Sequence, residues 1–331
     1  VTKAAADDAR WMAAAVALSE RGRGRTSPNP NVGCILVKGG KVVGRGWTQP
    51  GGRPHAEAMA LAEAGAAAEG ATAYVTLEPC AHRSPRGPAC ADLLVTARPA
   101  RVVGALTDPD PRTSGEGYAR LRAAGIAVTE NVGAEGARRA MAGFLTRQAL
   151  GRPHVTLKLA TSLDGRIALP SGESRWITGP QARAHGHLER ARADAILVGM
   201  ATYLKDDPAL NVRIAGLEDR SPRRLLLSAS GGRNVEIARD YQILRSVEEI
   251  SSLDGVDHLF IEGGAGTAAA FLAADLVDRL LLYRAPILIG AGLAGIGDIG
   301  LGDLATAHGR WTSVDYRTLG IDRLEIYERQ R

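Results

Sequence analysis

His55, Glu57, Cys80 and Cys90 make the sharpest chemical pattern in this chain: a His-Ala-Glu triplet, a Pro-Cys pair with its cysteine 23 residues past the glutamate, and a second cysteine ten residues further on. One imidazole and two thiolates suit zinc, and three protein ligands leave a fourth tetrahedral position for a water that the metal acidifies. If a helix opens at His55, Glu57 sits about 200° round it and reaches past the metal without ligating it. Its task would be to carry a proton from that water to a leaving amine. Zinc nucleobase deaminases share this arrangement, with their cysteines at closer spacing.

Taken singly, each part is ordinary. A His-x-Glu usually marks a solvated helix end, and a lone cysteine usually fills a core. Cys34, beside Val32 and Ile35, reads as such a core residue. The set as a whole points to a catalytic zinc site, yet the triad alone would equally serve a cytidine or tRNA-adenosine deaminase. A structural zinc with a fourth protein ligand is the remaining alternative, with His82 as the nearby candidate.

The surrounding patterns supply elements to hold these residues. Apolar spacing predicts a helix over 5–20, then strands at 34–37 and 41–44 joined through Gly39-Gly40. A helix from His55 to Gly70 follows, with a strand at 71–78 ended by Pro79. Further on come a helix at 91–97, a strand at 101–106, a helix at 116–124 and a strand at 126–130. This alternation predicts a layered α/β domain that closes near residue 145.

A second domain starts around Gly151-Arg152-Pro153. Strands are expected at 154–160, 195–198, 223–228, 259–261, 280–283 and 323–327, with helices at 180–193 and 267–274. The boundary is placed between residues 148 and 149, giving domains 1–148 and 149–331.

Size and composition agree with two globular domains. The 331 residues suit two cores of roughly 150 each. Hydrophobic content of 45% with 23% charged residues argues against disorder. The net charge of +5 suits a phosphate-bearing small molecule and is too weak to argue for a nucleic-acid partner. Three cysteines cannot close a disulfide framework without leaving one over, which points to a reducing compartment or to metal binding, and a cytoplasmic location is expected. Asp7, Asp8 and Arg10 interrupt the alanine-rich N-terminus, and no apolar run approaches the roughly 18 residues of a membrane span, so no membrane association is expected.

Long strings around these residues resemble the bifunctional riboflavin-biosynthesis deaminase/reductase family. In the first half they are Pro28-Asn29-Pro30-Asn31-Val32-Gly33-Cys34-Ile35-Leu36-Val37, Pro54–Glu57 and Thr76–His82. In the second half, Lys158–Arg166, Ser171–Thr178, Asp206–Leu210 and Ile261–Gly264 resemble that family's reductase domain. The resemblance implies an N-terminal cytidine-deaminase-like three-layer α/β/α domain and a C-terminal dihydrofolate-reductase-like α/β domain. It also implies hydrolysis of the 2-amino group of a diaminopyrimidinone carrying a phosphoribosylamino arm, followed by NADPH-dependent reduction of the ribose, in a homodimer or homotetramer.

Carried over by position, His55, Cys80 and Cys90 would ligate Zn2+, Glu57 would be the proton shuttle, and Asn29 and Asn31 would touch substrate. Ala160, Trp176, Thr202, Asp206, Ser228 and the turn Gly264, Ala265, Gly266, Thr267, Ala268, Ala269, Ala270 would contact NADPH. Ser174, Arg190, Leu210, Arg213 and Glu262 would contact substrate in the second domain. A glycine turn opening a helix makes a good phosphate cradle, and forked arginine donors suit a substrate phosphate. Read without the resemblance, Trp176 is a core residue and the glycine turn is structural. The chain departs from the family pattern in the loop His82–Pro88, which is a residue longer, and in residues 215–258, where Ser228 stands in place of an aspartate and the segment is compressed.

Overall fold

Thr2 accepts a hydrogen bond from the Ala5 N–H and so caps α1 (Lys3–Ser19), whose Met12 and Ala15 are wholly buried. In the computed structural model, residues 2–82, 84–231, 237 and 240–331 are described; Arg83 in the inter-cysteine loop and Gly232 lie outside them. Two units form, one running to Gly151 and the other Arg152–Arg331.

The first unit contains β1 (Gly33–Lys38), β2 (Lys41–Trp47), α2 (Ala56–Ala64), β3 (Thr72–Val75), α3 (Cys90–Ala97), β4 (Arg101–Gly104), α4 (Glu116–Ala123), β5 (Ala127–Thr129), α5 (Ala134–Ala140) and α6 (Ala142–Leu150). Its sheet runs β2-β1-β3-β4-β5, with β1 antiparallel to both neighbours and β3, β4 and β5 parallel. Gly39 and Gly40, at φ 57° and 73°, make the tight turn between β1 and β2. On β2, a Cβ at Gly44 would stand 2.2 Å from the Ala60 carbonyl oxygen and one at Gly46 2.0 Å from that of Ala56. These two glycines let α2 lie directly on β2, which fixes the helix end that carries His55.

Two expectations for this unit change. The helix expected to reach Gly70 ends at Ala64, because Gly65 turns to φ 52° and the chain continues as a short tight turn through Ala68. Helices α5 and α6 follow the strand at which the sequence patterns stopped; they bury Ala137, Ala140 and Phe144, with Met141 between them.

The second unit contains β6 (His154–Thr161), β7 (Arg166–Ala168), α7 (Pro180–Ala191), β8 (Ala195–Gly199), α8 (Met200–Asp206), β9 (Arg223–Leu227), β10 (Tyr241–Leu244), β11 (His258–Ile261), α9 (Ala265–Ala273), β12 (Arg279–Arg284), β13 (Leu293–Ala294), β14 (Trp311–Leu319) and β15 (Asp322–Arg329). Its main sheet runs β10-β9-β8-β11-β6-β12-β15-β14. The strands from β10 to β12 in that order are parallel, and β15 is antiparallel to β12 and β14. Central strands β8 and β11 are buried along their whole length, as parallel strands covered on both faces must be. In such a sheet the crevice past the carboxyl ends of the strands is the natural ligand site. Gly199 ends β8, Ser228 follows β9, Glu262 follows β11, and Ala160 lies near the end of β6, so this edge collects residues singled out in the sequence.

Candidate active sites

The N-terminal ends of α2 and α3 meet at one point. His55 is the residue that precedes α2 and Cys90 is the first residue of α3, while Cys80 comes in on the segment after β3. The His55 Nδ1 lies 3.2 Å from the Cys90 Sγ and 3.6 Å from the Cys80 Sγ, and the three donor atoms all lie within 4.8 Å of one another. Bonds of about 2.1 Å to nitrogen and 2.3 Å to sulfur in a tetrahedron would set such donors about 3.6 Å apart, so the set fits zinc with little adjustment. The Cys90 N–H lies 3.3 Å from the Cys80 Sγ, and the positive ends of two helices favour thiolate at this spot. Hydrogen bonding from Cys90, with further help from His55, lowers the Cys80 thiol pKa, while the same bond and burial raise that of Cys90.

Glu57, in the first turn of α2, is 3% exposed, and burial pushes its carboxyl up to about 7 against the opposing effect of His55. The His82 ring is turned to the Thr113 hydroxyl, 3.1 Å from Nδ1, so among the described residues the donor cluster consists of His55, Cys80 and Cys90. That is three protein ligands with one position open, the form of a catalytic site. Cys34 is wholly buried in β1.

Asn29 and Asn31 part company. The Asn29 amide lies 3.1 Å from the His55 Nε2, whereas Asn31, 3% exposed, donates to the carbonyls of Ser19 and Ala140 and ties the end of α1 to the end of α5. Sequence reasoning passed over Glu78 except as a neighbour of Pro79. Its carboxylate accepts from the backbone N–H groups of Asp108, Gly115, Gly117 and Tyr118 at 3.2, 3.0, 2.9 and 3.2 Å, and so anchors the segment that delivers Cys80.

In the second unit, Glu262 receives the Arg190 fork at 2.6 and 3.1 Å, with the Lys158 ammonium 3.6 Å away. Burial alone would raise this carboxyl, but Lys158 and Arg190 hold it down to about 2. Arg190 also donates to the Asn211 carbonyl at 3.0 Å. Leu210, buried at φ 50°, and Arg213, exposed, flank that residue.

Gly264 precedes α9 with no side chain capping the helix, so its first N–H groups are available to an anion. The approach to that end is close: a Cβ at Gly263 would stand 2.5 Å from the Thr267 Cβ, and one at Gly199 2.2 Å from its Oγ1. The Thr202 Oγ1 is 3.5 Å from the corresponding point on Gly264. Thr202, Gly264 and Thr267 thus share a cradle that small residues keep open, which fits a dinucleotide phosphate. Asp206 ends α8 and accepts from Arg175 through its carbonyl at 2.9 Å, Ser174 and Ala160 are half-buried, and Ser228 is buried with its hydroxyl 3.2 Å from that of Ser230. Ala268 and Ala269 are buried in α9, with Ala265 and Ala270 half-buried and Gly266 exposed. Trp176 is 65% exposed, with the Arg183 guanidinium 4.6 Å from its ring centre, which overturns the core reading that the residue type alone suggested.

Residues 5–106 match the model of the cytidine and deoxycytidylate deaminase zinc-binding region, and residues 153–320 match that of the RibD C-terminal domain. The chain is 41% identical to the riboflavin biosynthesis protein RibD of Escherichia coli, over 91% of this chain and 94% of that protein. It belongs to the RibD family of riboflavin-biosynthesis proteins. The RibD of Mycobacterium tuberculosis is 39% identical over 95% of each chain. Among solved structures, a Thermotoga maritima diaminohydroxyphosphoribosylaminopyrimidine deaminase/5-amino-6-(5-phosphoribosylamino)uracil reductase is similar with a TM-score of 0.88, at 30% identity over 98% of this chain and 99% of that one. Acinetobacter baumannii RibD is similar with a TM-score of 0.85, at 34% identity over 99% and 100%.

The fold of a RibD protein, a cytidine-deaminase-like domain followed by a dihydrofolate-reductase-like one, is therefore the fold of this chain. The inter-cysteine loop, expected from sequence to depart from the family pattern, is held by Arg86, which donates to the Gly51 carbonyl at 2.6 Å. No helix among the described residues is long and apolar enough to cross a membrane.

Proposed function

We propose that this chain is the bifunctional enzyme of riboflavin biosynthesis, with deamination in residues 1–148 and reduction in residues 149–331. The first reaction hydrolyses 2,5-diamino-6-(5-phosphoribosylamino)pyrimidin-4(3H)-one to 5-amino-6-(5-phosphoribosylamino)uracil and ammonia. The second reduces the ribosyl group to ribityl. Zn2+ and NADPH are the cofactors. The convergence of His55, Cys80 and Cys90 beside buried Glu57, in a chain aligned to RibD proteins over nine-tenths of its length, carries this reading.

His55, Cys80 and Cys90 would hold the zinc, which would supply Lewis-acid activation of water there. Glu57 takes one proton from the attacking water and delivers it to the ring nitrogen, then takes the second from the hydroxyl left on the ring carbon and delivers it to the amino nitrogen as the carbon–nitrogen bond breaks and ammonia departs. Its burial suits that work, since desolvation raises the carboxyl from its ordinary range and eases the uptake of a proton that it must then give back. Asn29 orients the His55 ring from behind and lines the substrate path, with Asn31 holding the backbone of the same segment.

In the second domain NADPH, when bound, would supply the hydride that reduces the opened sugar. Gly264 to Thr267, with Thr202, Asp206, Ala160, Trp176 and Ser228, form its seat, backed by Ala268, Ala269 and Ala270 on the core side of α9, and the uncapped α9 end receives phosphate. Ser174, Leu210, Arg190, Arg213 and Glu262 bind the substrate. With the Arg190 fork engaged by Glu262, exposed Arg213 is the guanidinium that meets the substrate phosphate. The enzyme works without nucleic-acid or membrane partners, as a cytoplasmic homodimer or homotetramer.

The test is a paired assay on zinc-loaded protein, following ammonia and NADPH absorbance separately. Ammonia release that precedes NADPH oxidation is expected, and Glu57→Gln should keep its zinc while ammonia release drops at least about 100-fold. Retained turnover in that variant would remove Glu57 from its role.

A further inference from the structure

Arg213 is exposed, and a long exposed guanidinium binds phosphate well only when something holds it in place. That something lies on α7. His187 stands one turn before Arg190, on the same helix face. Its Nδ1 is 3.1 Å from the Asn211 carbonyl oxygen and 3.3 Å from the Arg213 backbone nitrogen, and its Nε2 is 3.3 Å from the Arg213 Nε.

The partners decide the tautomer. A guanidinium nitrogen only donates, so Nε2 must be the unprotonated, accepting nitrogen. Nδ1 then carries the proton and donates it to the Asn211 carbonyl at 3.1 Å, the same oxygen that receives Arg190, and forgoes the longer contact in which the Arg213 backbone N–H points at it from 3.3 Å, because a ring with its proton on Nε2 would set that N–H against the Arg213 Nε–H. A protonated ring would set an N–H against the Arg213 N–H and lose this link. Burial, with the neighbouring charges of Arg190 and Arg213, lowers the His187 pKa and favours the neutral ring.

We propose that His187 is a positioning residue of the reductase: its neutral ring, braced on the Asn211 carbonyl, holds the Arg213 guanidinium ready for the phosphate of the substrate. The inference rests on the reading of Arg213 as a phosphate contact. It makes α7 a single support, with Arg190 locking Glu262 and His187 aiming Arg213.

The two ring nitrogens are tested separately on the full, zinc-loaded chain with the deaminated phosphoribosylamino substrate and NADPH. His187→Asn keeps a donor near the Nδ1 position and removes the Nε2 acceptor. It should raise the substrate KM about tenfold, with kcat and thermal midpoint unchanged, as loss of one hydrogen bond to a charged group implies. Competitive inhibition by inorganic phosphate should weaken by the same factor. His187→Gln, whose Oε1 reaches the Nε2 position, should restore both towards the parent values. Arg213→Ala should raise KM at least as much, and adding His187→Asn to it should change nothing further.

An unchanged KM in His187→Asn, with a raised KM in Arg213→Ala, would overturn the role of His187 while leaving Arg213 in place. An unchanged KM in Arg213→Ala removes the phosphate contact itself and the proposal with it. Equal losses in kcat, phosphate inhibition and thermal midpoint in His187→Asn would mark the residue as merely structural and also overturn it.

Discussion

The Asn29 side-chain amide meets the His55 ring on the side opposite the cysteines, 3.1 Å from Nε2, while Nδ1 faces both sulfurs. The amide nitrogen, Nδ2, is the atom placed there; a metal on Nδ1 leaves the proton on Nε2, which must then donate, so with zinc bound the amide turns over to present its oxygen. Asn29→Ala removes that acceptor. Zinc affinity should fall roughly 10–100-fold, the usual cost of losing an outer partner of a ligating histidine. Chelator competition on the purified variant measures this directly, and undiminished affinity would show that the contact does not orient the ring.

Cys90 joins the metal set from the first position of α3, so its side chain cannot withdraw without disturbing the helix end. Cys90→Ser substitutes a neutral hydroxyl, a poor zinc ligand. Metal analysis should find the variant largely zinc-free, with NADPH-dependent reduction of the deaminated substrate retained. Full zinc occupancy would remove Cys90 from the ligand set.

Gly263→Ala places a Cβ 2.5 Å from the Thr267 Cβ at the mouth of α9. The helix end must move, and the KM for NADPH should rise about tenfold or more if the phosphate seat moves with it. Ammonia release in the same preparation should be unaffected. Equal loss of both activities would argue that the change unfolds the chain instead of altering the seat.

Arg152 makes two hydrogen bonds to Asp278, at 2.7 and 2.9 Å, and both side chains are buried. Asp278 also accepts from the Val155 N–H at 2.8 Å. Arg152→Ala strips the buried carboxylate of its two-point partner while the Arg331 guanidinium remains on Oδ1, and should cost about 1.5–3 kcal/mol, read as a lower denaturation midpoint. Burial would raise the Asp278 carboxyl, but the Arg152 hydrogen bonds and the nearby His154 hold it below its ordinary 3.8. Its folded-state pKa is thus depressed, so its contribution is complete above about pH 4 and is lost as pH falls through the folded value. Parent and variant should therefore converge in stability in strong acid and differ most near neutrality.

Much of the deaminase centre was legible as sequence, because its chemistry is local. The His55–Glu57 triplet opens a helix, and Cys80 and Cys90 lie near enough in the chain for their types and spacing to show the ligand set. The strands that carry the reductase cleft were equally visible, since β8 and β11 are short apolar runs that nothing but burial explains. Other elements left weaker marks. Strand β14 is a half-exposed edge strand with Thr312, Asp315 and Arg317 along it, and α8 follows β8 with no intervening turn residue.

Side-chain partners were a different matter. Nothing in the sequence says that Glu78 collects four backbone N–H groups from a loop and helix some 30 to 40 residues away, that Asn31 grips the end of α5, or that Arg190 closes on Glu262 across 72 residues. Residue type and spacing determined the metal chemistry of the first domain, because ligand preference and helix period act over a few bonds or turns, whereas the reductase chemistry was legible only through the longer strings that resemble a known family. Which polar groups hold the sites in shape was decided only by the tertiary structure, because a buried donor or acceptor takes the partner that packing brings to it, however distant in the chain.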